Sequence, residues 1–325
     1  MGKVFDGVVA ILIGVGGAAA LFWILNAAVE RLPTKWEERL KPYVFTGPAL
    51  LFIGVIVLYP LVRTLVFAFF DAQGKEWVGL ENFRYLLGSD DFRQTLFNNL
   101  LWLIFVPPAV VLAGLAVAVL ADRLRPRSEK IAKSVIFVPM AISFVGAATI
   151  WRFVYEARPA GQPQIGLLNS VITSIGFDPI AWIQKDELHL NTFLLMVVVL
   201  WLQAGFAMVL LSAAIKSVPN EIIEASRVDG ATERQIFVRV LMPQIWPTVL
   251  TVLIIQVVLV LKVFDVVYVM TGGNFNTDVV GNRIFIELFQ FGDNGRSAAM
   301  VVFLMIAVVP PMIYQVRQFR AQEAR

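Results

Sequence analysis

Apolar residues run along this chain in long unbroken stretches, separated by short polar segments rather than alternating with them. Seven stretches stand out, at residues 8–29, 45–70, 96–121, 134–155, 192–215, 247–270 and 298–314. Each approaches or exceeds the roughly 20 residues a helix needs to cross a bilayer. Continuous apolarity, without the period-two pattern of an outer-membrane barrel strand, predicts helices throughout. The expected fold class is all-α: a polytopic membrane protein with seven spans.

Composition agrees, with 58% hydrophobic residues, 16% charged and a mean hydropathy of +0.74, where soluble domains carry about 25% charged residues. The net charge of +3 does not point to nucleic acid, because the basic residues sort by membrane side. With residues 30–43, 122–133, 216–246 and the C-terminal tail on one side, sixteen lysines and arginines fall there and eight on the other. Cytoplasmic segments carry the excess. The expectation is a cell-membrane protein, N-terminus outside, residues 216–246 and C-terminus cytoplasmic, with the lipid bilayer as a partner. The first stretch also fits a signal peptide, with Lys3 before it and small residues at 16–20. Its apolarity continues through Leu25 and Val29 into a basic loop, which favours a retained span.

The polar insert at 216–246 has its own helical logic. Pro219 suits a helix start, and Glu221 and Glu224 put negative charge near that helix's positive end. Asp229-Gly230 ends it, and Thr232 with Gln235 has capping-box spacing for a second helix carrying Ile236, Phe237, Val240 and Leu241. Pro243 and Pro247 are expected to end that helix before the next span. Periodicity alone leaves two readings open: an arm that fits a groove on a partner, or two helices lying on the bilayer.

The insert reads "EASRVDG" at residues 224–230, followed by Ala231 and, later, Val240-x-Met242-Pro243. It resembles the E-A-A, three residues, G, nine residues, I-x-L-P signature of ABC-importer permeases, with Ser226, Val240 and Met242 as replacements. "WVGLENFRYLL" (77–87), "GLLNSVITSIG" (166–176), "VFDVVYVMTGGNFNTD" (263–278) and "GRSAAM" (295–300) resemble the carbohydrate branch, most of all alpha-glucoside permeases. Gly272-Gly273-Asn274 departs from that branch's Gly-Gly-Pro. The resemblance implies a six-helix permease core at residues 43–325 and leaves residues 1–42 as an extra N-terminal helix and linker. It implies import of an alpha-glucoside or related oligosaccharide; another polar solute such as glycerol phosphate or glucosylglycerol is the alternative. It further implies a second permease subunit, two ATP-binding subunits and an extracytoplasmic sugar-binding protein. Glu221, Glu224, Ala225, Ser226, Asp229, Gly230, Ala231 and Pro243 are then the coupling residues that meet the ATPase.

The chain itself has no G-x-x-x-x-G-K-[ST] phosphate loop, no cysteine and one histidine, His189. It is expected to bind no cofactor or metal and to be no enzyme, with ATP and magnesium held by partner subunits. A stand-alone secondary transporter would predict several buried ions, and the stretches hold few. Ionisable residues inside a span are functional candidates. Lys262 and Asp265, three apart in the sixth stretch, are expected on one helical face, with Phe264 between them and Tyr268 a turn on. Trp201, Gln203 and Phe206 in the fifth stretch surround Gly205. Aromatic faces with amide and charged groups suit a carbohydrate, and in the family these two spans contribute to the sugar site; ordinary helix packing is the other reading. Arg152 and Glu156, four apart, predict a local pair. Ile165, Leu167, Leu168, Val171, Ile172 and Ile175 predict a short helix in the outer loop 157–191, serving as a landing surface for the binding protein or lying on the bilayer.

Overall fold

The computed structural model describes residues 2–323. They form two compact units, Met1–Val66 and Phe67–Arg325. The first is a helical hairpin of α1 (Gly2–Val29) and α2 (Thr34–Phe67), with Phe22 stacked on Phe45 at 6.1 Å. The basic segment 30–43, expected to be a loop, is mostly helix. Glu37 in the first turn of α2 and its i,i+4 pairing with Lys41 at 3.2 Å favour an early start. Pro42 and Pro48 lie inside α2, and a π-helical turn at Gly54–Leu58 follows them.

The second unit contains α3 (Glu81–Gly88), α4 (Asp90–Asp122), α5 (Pro126–Phe137), α6 (Phe144–Val154), α7 (Leu167–Ser174), α8 (Leu190–Lys216), α9 (Asn220–Val228), α10 (Glu233–Leu261), α11 (Asp265–Met270), α12 (Val280–Phe289) and α13 (Asn294–Glu323). Its core lies where α4, α8 and α10 pack, around Trp102, Val106 and Val110, Leu195, Met208 and Leu211, and Ile245 and Val252. The outer-loop helix expected from residues 165–175 is α7.

Two spans are broken where apolarity alone predicts continuous helices. The stretch 134–155 bends by 102° between Pro126–Ala141 and Phe144–Val154. A 3-10 turn at Val138–Ala141 carries Pro139, and Ser143 restarts the helix by accepting the Gly146 N–H at 3.1 Å. The bend fits because α8 offers Gly205 there: a Cβ on that residue would lie 2.6 Å from the Ile136 carbonyl oxygen. The stretch 247–270 ends as a helix at Leu261, and Asp265 opens α11. Lys262 thus caps a C-terminus and Asp265 begins an N-terminus, each at the helix end its charge prefers. At its other end the helix runs past both prolines expected to stop it. A π-helical turn at Ile236–Leu241 precedes Pro243, which sits in the first turn of the following α-helical segment, so its missing N–H leaves little unpaired.

Polar side chains hold the two ends of the bundle. At one end, the loop between α11 and α12 contains Phe275 and Asn276 with φ of 57° and 58°. Asn98 of α4 donates to the Asn276 and Asp278 carbonyls at 2.7 and 2.8 Å, Asn99 accepts the Val280 N–H at 2.7 Å, and Asn191 of α8 donates to the Phe275 carbonyl at 2.7 Å. At the opposite end, Lys133 of α5 reaches Asp122 at 3.0 Å, Glu129 at 2.5 Å and Ser212 of α8 at 2.5 Å, while Lys216 joins Glu129. Asn82 of α3 donates to the carbonyls of Ala68 and Phe70 at 3.0 and 2.8 Å, which fixes the turn carrying "WVGLENF".

Candidate functional site

Two places gather the residues expected from the sequence to be functional. The first is the arm formed by α9, a turn and the start of α10. Pro219 stands at the N-cap of α9 rather than inside it. At the other end, the Gly230 N–H donates to the Arg227 carbonyl and the Ala231 N–H to the Ser226 carbonyl, both at 3.0 Å. This 5→2 and 6→1 pair is a Schellman turn, and it places Gly230 at φ 80°. Positive φ, not crowding, requires glycine, since nothing lies within 4 Å of a Cβ built there. Thr232 and Gln235 form the expected capping box, with the Thr232 N–H donating to Gln235 Oε1 at 2.8 Å. Arg227 closes the turn on Glu233 at 2.9 Å.

The arm is rigid yet open. Glu221, Glu224, Ala225, Asp229 and Gly230 are exposed, Ser226 and Ala231 half-buried. Val228, apolar and 88% exposed, projects from the end of α9. Pro243 is also exposed, in the first turn of the α-helical segment that follows the π-helical turn.

The second place is the pair of broken spans. A cavity of about 450 Å³ opens between them, lined by Phe144 at the start of α6, by Ile255, Val258 and Leu259 of α10, and by Lys262, Val263, Phe264, Asp265 and Val266 around the second break. Lys262 and Asp265 do not share one helical face, because the helix stops between them; among the described residues no hydrogen bond or ion pair joins them. Both instead present charge to the cavity. Phe264 stacks on Tyr268 at 5.1 Å, and both rings meet Phe285 of α12, at 5.4 and 4.9 Å.

Trp201, Gln203 and Phe206 do not line this cavity. Trp201 packs edge-on against Trp151 of α6 at 5.9 Å, and Gln203 accepts from Gln256 of α10 at 3.3 Å. Sequence reasoning missed Gln256, although an amide in an apolar stretch is a visible signal; it is fully buried with Oε1 unpartnered. It also missed Phe144, whose position depends on the bend. Arg152 does not pair with Glu156; it donates to the Val269 carbonyl at 3.3 Å, bridging α6 to α11.

An apolar bundle with interrupted spans, a pocket at the interruptions and an exposed, capped arm has the form of a transport permease. The chain belongs to the family of binding-protein-dependent transport system inner membrane components, which matches residues 85–321, and is a permease of the ABC-importer type. It is 46% identical over 280 residues to the osmoprotective compounds uptake permease protein GgtC of Synechocystis sp., covering 86% of this chain and 99% of that one. It is 41% identical over 331 residues to the alpha-glucoside transport system permease protein AglF of Rhizobium meliloti, covering 98% and 97%. The fold is shared with a chain in the crystal structure of a bacterial ABC transporter involved in the import of the acidic polysaccharide alginate, with a TM-score of 0.73, 22% identity and coverage of 87% of this chain and 98% of that one. Membership makes the chain a transport component and a multi-span protein of the inner membrane, and sets aside the stand-alone secondary transporter.

Proposed function

We propose that this permease carries a neutral glycoside, an alpha-glucoside or related oligosaccharide, delivered by an extracytoplasmic binding protein. The observation that carries this reading is the pocket between the broken spans, where Phe144 and Phe264 offer ring faces and Lys262 and Asp265 offer groups for hydroxyls. Sugars present C–H faces and hydroxyls together, and this lining matches both. Full-length similarity to an alpha-glucoside permease supports the same class. A smaller osmoprotective solute is the second reading, favoured by the 46% identity to GgtC.

In the proposed cycle the chain pairs with a second permease subunit, and two ATP-binding subunits hydrolyse ATP with magnesium while this chain holds no cofactor. The capped arm, with Glu221, Glu224, Ala225, Ser226, Asp229, Gly230, Ala231 and Pro243, meets an ATP-binding subunit on the cytoplasmic side. Residues 43–325 form the working permease, residues 1–42 an added helix and linker with the N-terminus outside. Tyr268 backs the pocket through its stacking on Phe264, while Trp201, Gln203 and Phe206 on α8 are assigned to the sugar path only by the family resemblance.

The test is ATPase stimulation of the transporter purified from native membranes, using binding protein loaded with alpha-glucosides or with osmoprotective polyol glycosides. Stimulation by an alpha-glucoside, with Asp265→Asn raising the half-saturating concentration about tenfold as one charged hydrogen bond of roughly 1.5 kcal/mol is lost, is the expected outcome. Unchanged kinetics in that variant would return Lys262 and Asp265 to structural roles.

A further inference from the structure

A second, larger cavity of about 740 Å³ lies where α4, α8, α9 and α10 converge at the cytoplasmic end. One wall is a single stripe of α4: Leu112, Leu115, Ala116, Val119, Leu120 and, at its end, Arg123. These follow helical i, i+3, i+4 spacing, so they lie on one face. Ile215 of α8, Ile223 of the arm and Ile236, Phe237 and Leu241 of α10 complete the apolar lining.

Charge gathers only at the mouth. Asp122, Arg123, Arg227, Glu233 and Arg234 line it. Asp122 is taken by Lys133 and Lys216, and Glu233 by Arg227. Arg123 acts on Glu233 only through space, and neither Arg123 nor Arg234 forms an ion pair among the described residues. The groove is thus apolar along its length and cationic at one end.

Its dimensions add a second argument. From Leu112 to Arg123 the stripe rises about 16 Å at 1.5 Å per residue, close to half of a hydrocarbon core about 30 Å thick. A groove one leaflet deep, with two guanidinium groups outside any ion pair at its cytoplasmic rim, complements an anionic phospholipid in shape and charge. A free phosphate or nucleotide would leave the apolar wall unused, and a neutral acyl chain would leave the arginines without anions.

We propose that this groove binds one anionic glycerophospholipid of the inner leaflet, its acyl chain against the α4 stripe and its phosphate between Arg123 and Arg234. Ile223 and Arg227, four apart, face it from the arm, so the bound lipid touches both a span and the arm. The lipid then stiffens the joint through which the arm would move the spans. This rests on reading residues 216–246 as the cytoplasmic coupling arm.

The test is native mass spectrometry of the transporter purified from nanodiscs holding an equal mixture of phosphatidylglycerol and phosphatidylcholine. Wild type is expected to retain phosphatidylglycerol selectively. The double variant Arg123→Gln, Arg234→Gln is expected to lose that selectivity by about thirtyfold, roughly five- to sixfold per arginine removed. Arg125→Gln with Arg127→Gln, at the same membrane face but outside the groove, should leave it unchanged. Ala116→Trp, which fills the groove without altering charge, should displace the lipid as well. Equal retention of both lipids, or phosphatidylglycerol bound as well by the groove variants as by wild type, overturns the proposal; so does a photocrosslinker at position 116 that captures a protein subunit in place of lipid. If the ATP-binding subunit fails to co-purify while lipid selectivity holds, the coupling assignment is at fault and the lipid site stands.

Discussion

Replacing Gly230 separates backbone torsion from crowding at the arm. At φ 80° an L-residue other than asparagine is disfavoured by roughly 1–2 kcal/mol. With no atom within 4 Å of a Cβ at this position, nothing else in the free chain opposes a side chain. Gly230→Ala should therefore lower the population of the closed turn about tenfold, at 1.4 kcal/mol per decade. Gly230→Asn, which tolerates left-handed backbone, should lose only a few-fold. Co-purification of the ATP-binding subunit and ATP-driven uptake in membrane vesicles both read this out. The expected order is glycine, then asparagine, then alanine, with Gly230→Trp below alanine if the arm docks on the ATP-binding subunit as proposed. Equal activity of alanine and glycine would refute the assignment of the turn, and alanine surpassing asparagine would refute the torsional argument.

Asn98→Ala removes the donor shared by two partly buried carbonyls, at a net of about 1 kcal/mol per hydrogen bond, and is expected to raise hydrogen exchange across residues 271–280 while leaving α8 protected. Asp278 should make the same loop respond to pH. Burial pushes its carboxyl above the ordinary range, against the opposing hydrogen bonds from Asn282 and Val279. The folded loop thus favours the protonated acid, so its contribution is full below the ordinary carboxylate pKa and is lost as pH rises through the elevated one. Exchange in this loop, corrected for intrinsic chemistry, should accelerate over that interval in wild type and not in Asp278→Asn; a variant that keeps the pH dependence would place its origin elsewhere.

Sequence reasoning located α8 to within a few residues at both ends and the cores of α1 and α13, whose helices run on past the apolar stretches, because apolar length is the whole of that signal. It located the arm for a different reason: Thr232, Gln235 and Gly230 act through local backbone geometry, which spacing exposes. The two breaks were hidden because Ile142 and Val263 are as apolar as their neighbours. What interrupts the helix there is a serine cap, a 3-10 turn and the placement of Lys262 and Asp265 at opposite helix ends. Once the second break is missed, those two charges look like a helical pair. Phe144 and the Gln203–Gln256 contact join residues far apart in sequence, and only packing brings them together.

The loop carrying Phe275 and Asn276 keeps its left-handed residues through carbonyl contacts with Asn98 on α4 and Asn191 on α8. Its conformation is therefore a record of the relative height of those two helices. A slide of α4 past α8 by one residue, about 1.5 Å, exceeds the tolerance of a hydrogen bond. The loop must then let go of one helix or the other. Motion begun at the arm would thus surface at the opposite end of the bundle as a discrete unlatching rather than a gradual drift.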